Sequence, residues 1–236
     1  MINQILFIIV IILSNIIQVI TGFAGTMLAM PASMKLIGID EATAILNVVA
    51  LVLSIIVITQ DHKYINKKEA TKIIILMVLG MGAGIYLLQV MPTDILLNGY
   101  AIFIIFIALK KIFIKKERPM TTIIAFIVIF LAGVIHGMFV SGGSLLVIYA
   151  ITVFKDKDRF RATLALIWVV LNGIMLITHI RQDYFNPQVC MLTLISVLVA
   201  LLSVKIGNKL HHKINQQVFL QITYLLLLLS GILLIV

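Results

Sequence analysis

The feature that most constrains this chain is a series of long apolar segments separated by short polar loops. A helix needs about 20 apolar residues to cross the hydrocarbon core of a bilayer. With 62% hydrophobic and 11% charged residues, the 236-residue chain has too few polar groups to cover a soluble domain. The sequence therefore predicts an all-α, polytopic membrane protein. The segments of span length are 42–59, 73–90, 95–109, 162–180, 189–204 and 218–236.

Two shorter apolar segments interrupt this series, and each follows a break that contains glycine. The break at 21–26 precedes segment 27–37, and the break at 135–144 precedes segment 145–154. Both segments have only about half the length that a span requires. We therefore expect two half-helices that enter the bilayer and return, each forming a hairpin with the apolar run before it.

The two breaks belong to an internal duplication. Thr43, which follows an alanine, recurs as Thr163 in the same context, and later matches keep an offset close to 120 residues. We therefore divide the chain into a first membrane repeat, 1–118, and a second membrane repeat, 119–236. Each repeat is predicted to contain one half-helix hairpin and three full spans.

The basic residues predict that the second repeat is inverted relative to the first. The loop at 63–72 is rich in lysine, whereas its equivalent holds only Arg181; the loop at 155–161 is also rich in basic residues, whereas its equivalent holds only Lys35. Cytoplasmic loops attract Lys and Arg, so equivalent loops lie on opposite sides. The connector 110–118 is basic and falls on the inner side. Topology thus explains the net charge of +9, and no nucleic-acid partner is predicted.

The sequence offers no catalytic, cofactor or metal site. It has a single cysteine, Cys190, and contains neither an H-E-x-x-H motif nor a phosphate-binding P-loop. All nine acidic residues lie at span ends or in loops, which disfavours a proton relay through a carboxylate within the membrane. Because no nucleophile, base and orienting group occur together, we do not expect an enzyme.

The breaks are the best candidates for a binding site. A helix that begins within the membrane presents free backbone N–H groups and a positive dipole end, which together favour an anion. Inverted symmetry would bring both N-termini together near the midplane. We therefore predict that a small anion binds there, and close helix packing through glycine is the alternative use of the breaks. The predicted site residues are Gln18, Gly22, Gly25, Thr26, His136, Ser141, Gly142, Gly143 and Ser144.

Several residues within the spans have more than one interpretation. His136, which aligns with Gln18, is either a proton-binding or anion-binding group or a neutral histidine in a helix interface. Gly80 and Gly84 form a G-x-x-x-G motif, which favours close helix packing. Trp168 is expected to anchor its helix at the membrane surface.

The motifs resemble those of the sulfite exporter TauE/SafE family. The break at 22–26 before a proline-containing half-helix is similar to the first signature of the family, and 136–144 is similar to the second. The Arg-Ala-Thr triplet at 161–163 also resembles the family. This resemblance implies a secondary transporter, acting as an exporter, in a bacterial-type cytoplasmic membrane. It implies sulfite, a sulfonate or another sulfur-containing or organic anion as substrate.

Two other functions are compatible with the same residues. A passive anion channel could use the same two breaks as a filter, and a membrane scaffold or accessory subunit could use them for packing only. The lipid bilayer and a small anion are the partners that the sequence predicts. It leaves the coupling ion and the oligomeric state open.

The inverted arrangement predicts a specific labelling pattern. In a variant in which Cys190 is replaced, single cysteines introduced next to Asn66 and next to Asn186 should react with a membrane-impermeant thiol reagent from opposite sides, because these loops are equivalent but carry opposite basic bias. The labelling is measured in sealed vesicles of known orientation. Reaction of both positions from the same side would exclude inverted repeats.

Overall fold

A computed structural model describes residues 2–92 and 120–235, together with isolated positions between 95 and 109. In these residues the regular structure is entirely helical, which confirms the predicted all-α class. The connector 110–118 and six of the fifteen residues of the predicted span 95–109 lie outside the described residues. The described helices are α1 (Ile2–Thr21), α2 (Ala24–Ile37), α3 (Ile39–Asp61), α4 (Lys67–Val90), α5 (Thr122–Phe139), α6 (Gly143–Val153), α7 (Lys157–Arg181), α8 (Pro187–Lys213) and α9 (Gln216–Ile235).

Six of the described helices are long and apolar enough to cross a membrane, namely α1, α3, α4, α5, α7 and α8. Large apolar side chains lie on their outer surfaces: Leu79 is 63% exposed and Leu202 is 68% exposed. A water-soluble protein rarely exposes so much apolar surface, whereas lipid solvates it at no cost. The chain is therefore a multi-pass membrane protein, as predicted.

The two helices that follow the breaks are short. Helix α2 has 14 residues and α6 has 11 residues. Neither could cross a bilayer alone, so the predicted pair of short helices is confirmed.

Side-chain caps fix the beginnings of α4, α5, α7 and α8, but not those of the two short helices. Asn66 caps α4 by accepting from the backbone N–H of Glu69, and Asn186 caps α8 by accepting from that of Val189. In contrast, Phe23 and Gly142, the residues in the N-cap positions of α2 and α6, provide no side-chain cap within the described structure. The N–H groups at these two positions depend on other partners.

The helices of the two predicted repeats interleave. Helix α1 packs on α8, α4 packs on α5, and α3 packs on α7, and each of these pairs joins a helix of one predicted repeat to a helix of the other. The buried apolar residues form two clusters, and each cluster contains residues of both predicted repeats. The middle pair, α3 and α7, runs past both breaks and positions the polar groups described below.

The crossing of α4 and α5 depends on glycine. A Cβ atom added to Gly80 would lie 2.1 Å from the carbonyl oxygen of Phe130, and one added to Gly84 would lie 2.1 Å from that of Val134. Two glycines of α5 make the reciprocal contact with the backbone of α4. This confirms that the G-x-x-x-G motif serves close helix packing.

The substitution Gly84→Ala should destabilise the protein by about 1 to 3 kcal/mol, because the new methyl group would force the two helix backbones apart. Gly82→Ala is the matched control on the same helix, since no described atom lies within 4 Å of its Cβ position. Alanine there should be neutral or slightly stabilising. Thermal unfolding in detergent measures both. Equal midpoints for the two variants would show that the backbone contact contributes nothing.

Candidate functional site

The two breaks lie against each other at the centre of the helix bundle. The carbonyl oxygen of Phe23 in the first break is 3.0 Å from the position that a Cβ atom on Gly143 in the second would occupy. Beside this contact is a cavity of about 10 Å³, which is about the space that one water molecule needs. Both predicted repeats contribute to its lining, which consists of Gln18, Phe23, Thr26, Ala50, His136, Val140, Gly143, Trp168 and Asn172.

At the first break, side chains of α1 satisfy the N-terminus of α2. The Gln18 Oε1 accepts a hydrogen bond from the backbone N–H of Gly25 at 2.7 Å. The Thr21 Oγ1 accepts from the backbone N–H of Ala24 at 3.3 Å. An amide oxygen thus occupies the position that the oxygen of a bound anion would take at a helix N-terminus.

The backbone of the first break requires glycine at two positions. Gly22 has a φ of +83°, a conformation that residues with a side chain rarely adopt. A Cβ atom on Gly25 would lie 2.5 Å from the Gln18 Cβ. Any side chain at Gly25 would therefore disturb the hydrogen bond between Gln18 and the helix N-terminus.

Trp168 connects the two breaks. Its indole Nε1–H donates to the carbonyl oxygen of Gly22 at 2.8 Å, and its ring stacks on His136 with the ring centroids 5.4 Å apart. The side chain is only 4% exposed. The expectation of an anchor at the membrane surface is therefore wrong, because α7 places Trp168 near its middle, where the indole N–H finds a partner inside the protein.

At the second break, polar atoms are buried without matching partners. His136 is 2% exposed, and Asn172 lies within reach of its ring. Nevertheless, neither ring nitrogen of His136 nor the Asn172 Oδ1 has a hydrogen bond of good geometry to any described residue. Buried polar atoms are nearly always paired with protein, water or ligand. Their position around the central cavity therefore points to a polar ligand or to water.

The backbone of the second break is strained at Val140. This residue ends α5 with a φ of 53°, in the left-handed region. A β-branched residue rarely adopts that conformation, which costs on the order of 1 to 3 kcal/mol. Strain of this kind concentrates at functional sites, and Val140 lines the central cavity.

The structure places the predicted site residues in two groups. Gln18, Thr26, His136 and Gly143 line the cavity, with Gly22 and Gly25 directly behind it. The remaining three do not line it: the Ser141 Oγ donates to the Phe139 carbonyl, the Ser144 Oγ donates to the Ser141 carbonyl, and Gly142 packs against Ala132.

Sequence reasoning missed Trp168 as part of this site, and Asn172 was not among the predicted site residues. Both lie near the middle of the predicted span 162–180, where large polar side chains are costly unless they have partners. Their depth in that span was the signal that could have found them.

A larger cavity of about 240 Å³ lies at the end of the bundle opposite the basic loops. Asp40, His179 and Tyr184 line its outer part, and Gly137, directly after His136, lines its inner part. Burial raises the pKa of Tyr184 to about 12, and the neighbouring Asp40 carboxylate adds to this shift. The phenol is therefore a neutral hydrogen-bond donor at physiological pH. The cavity therefore extends from the protein surface to a point close to the second break.

Discontinuous helices that converge on a polar cavity within a polytopic bundle are typical of secondary transporters. The sequence profile of the sulfite exporter TauE/SafE family matches residues 6–234, so the chain belongs to this family. The resemblance seen in the motifs is thus confirmed over almost the whole chain, and the protein is a membrane transport protein of an anion-exporter family. No curated protein and no solved structure matches the chain significantly.

Proposed function

We propose that the protein is a secondary transporter that exports a small sulfur oxyanion, sulfite or a sulfonate, across a bacterial-type cytoplasmic membrane. The anion would bind in the central cavity between the two breaks. The observation that carries this proposal is the set of buried, unmatched polar atoms of His136 and Asn172 beside the N-termini of both half-helices. Family membership supports the choice of an anion.

The electrostatics of the cavity favour an anion even though no cationic side chain is among the described residues that line the cavity. Both half-helices direct their positive dipole ends to the same space, and a helix N-terminus provides converging N–H donors. A neutral His136 can donate from one ring nitrogen, and the Asn172 amide can also donate. None of the lining residues carries a carboxylate that would repel the ligand.

Binding requires the breaks to separate. A cavity of about 10 Å³ has room for one water molecule but not for sulfite. The contact most readily exchanged is the hydrogen bond from Gly25 to Gln18, because an anion oxygen could replace the Gln18 oxygen on the same N–H group. Rocking of one repeat against the other would then alternate access to the two sides.

The helix packing is compatible with inverted repeats. The pair α1 with α8 and the pair α5 with α4 are equivalent under the predicted duplication, and each is close-packed. We therefore propose that the two repeats are related by a pseudo-twofold axis in the membrane plane, which passes near the two breaks.

The transport proposal is tested with purified protein in liposomes. Sulfite and methanesulfonate should be taken up with saturation, and uptake should be stimulated by the same anion on the opposite side. His136→Gln should change the half-saturating anion concentration by about tenfold, since it replaces a ligand-facing hydrogen-bond group. The matched control is His62→Gln, which alters an exposed histidine at the end of α3.

Each outcome has a distinct meaning. Saturation without stimulation from the opposite side would identify a channel instead of a carrier. Absence of any sulfite or sulfonate flux in the parent protein would contradict the proposed function. If both His136→Gln and His62→Gln transport the anion with the half-saturating concentration of the parent, His136 does not contact the anion.

A further inference from the structure

The side chain of Arg161 is a second buried polar group, and it does not line the central cavity. The sequence places Arg161 with the basic residues of the loop 155–161, for which a solvated loop is the default expectation and attraction of anions at the cytoplasmic mouth is the alternative. The structure instead buries its side chain in the first turns of α7, with 1% of it exposed. The loop assignment of Arg161 is therefore wrong, because the ends of α3 and α8 cover this part of α7.

The guanidinium group of Arg161 has only part of its bonding capacity filled. The Nη2 donates to the Asn208 Oδ1 at 2.5 Å. The Nε lies 3.6 Å from the Asp61 Oδ2, which is too long for a hydrogen bond. Across the described ranges, neither Nε nor Nη1 has a hydrogen-bond partner. Burying a charged group costs several kcal/mol unless its partners compensate, so this arrangement is expensive.

Arg161 lies directly beneath the first break. A Cβ atom on Gly22 would be 3.2 Å from the Arg161 Cα. Next to it, His211 bridges the last turn of α1 to α7: its Nδ1 is 2.7 Å from the Ile20 carbonyl oxygen, and its Nε2 is 2.8 Å from the Asp158 carboxylate. These polar contacts close the bundle between the central cavity and the end that carries the basic loops.

We propose that Arg161 is a second binding residue for the transported anion, contacted by a small oxyanion that arrives from the basic, cytoplasmic end. This inference rests on the proposed transport function and adds a residue to its path. The planar guanidinium offers several N–H donors to the oxygens of sulfite or a sulfonate, and the donors on Nε and Nη1 are unused. Asp61 would hold the guanidinium group in the absence of the anion.

Binding at Arg161 would also open the cytoplasmic route. An oxyanion that bonds to Nε replaces the weak pairing with Asp61, so the ion pair that joins α3 to α7 is lost. Asn208 is held by its own hydrogen bond to Gln60 at 2.8 Å and can keep the guanidinium group oriented during this exchange. Binding of the substrate would thus weaken the contacts that close the cytoplasmic end of the bundle.

A purely structural role of Arg161 and a role in anion binding lead to different expected results. If Arg161 only joins α3, α7 and α8, removing either member of the ion pair lowers stability and leaves anion affinity unchanged. If Arg161 binds the anion, the two members act in opposite directions. Arg161→Lys should weaken binding because it loses the planar fork, whereas Asp61→Asn should strengthen it because it removes a competing carboxylate.

The experiment measures sulfite transport in liposomes sorted by protein orientation, with sulfite supplied from each face. From the basic face, Arg161→Lys should raise KM about 10- to 100-fold, and Asp61→Asn should lower it severalfold. From the opposite face, both changes should be smaller. Lys209→Gln is the matched control, because it removes an exposed cation from the same end without contacting Arg161.

The outcomes separate this inference from the transport proposal. If the parent protein does not transport sulfite or methanesulfonate, the proposed function fails. If the parent transports normally and both variants keep its KM from both faces while their thermal midpoints fall, Arg161 has a purely structural role and the inference is overturned. If Arg161→Lys does not fold, Asp61→Asn decides alone: a lower KM supports the inference, and an unchanged or higher KM overturns it.

Discussion

The structure depends on a single constraint, the need to satisfy backbone N–H groups at helix ends that lie inside an apolar medium. An unpaired N–H group costs several kcal/mol in hydrocarbon, so a helix can begin there only against protein, water or ligand. In the first break Gln18 provides the partner, by accepting from Gly25. Around the second break, His136 occupies the equivalent position in the sequence, but its nitrogens are unmatched within the described residues. This asymmetry between two breaks that the sequence predicts to be equivalent supports the proposal that the breaks bind an anion.

The packing of the helices serves the same constraint. Because α4 and α5 contact each other through glycine, their backbones approach closely. This close packing places the second break, at the end of α5, in the centre of the bundle. Trp168 then bonds to the first break and stacks on His136 of the second. A single side chain therefore links both halves of the proposed site, and a movement of either break would change its surroundings.

Sequence reasoning recovered the parts of this arrangement that are local. The short segments after the breaks, the G-x-x-x-G contact and four of the helices of spanning length, α3, α4, α7 and α8, follow from apolar run length and glycine spacing. Helices α1 and α5 were predicted only as arms of the half-helix hairpins, but both are long enough to cross a membrane. It could not recover the burial of Arg161, because that depends on α3 and α8 converging over the first turns of α7. The rule that assigns tryptophan to membrane surfaces misplaced Trp168, although its depth in the predicted span 162–180 was a signal for a buried position.

The central claim is that the anion binds between the two breaks, and the fluorescence of Trp168 tests it most directly. Trp168 is the only tryptophan of the chain, and it lines the central cavity. Titration of the purified protein with sulfite should change its emission with saturation, and at the concentrations that half-saturate transport. Methanesulfonate should compete. Emission that stays constant across anion concentrations that saturate transport would contradict a site at the breaks.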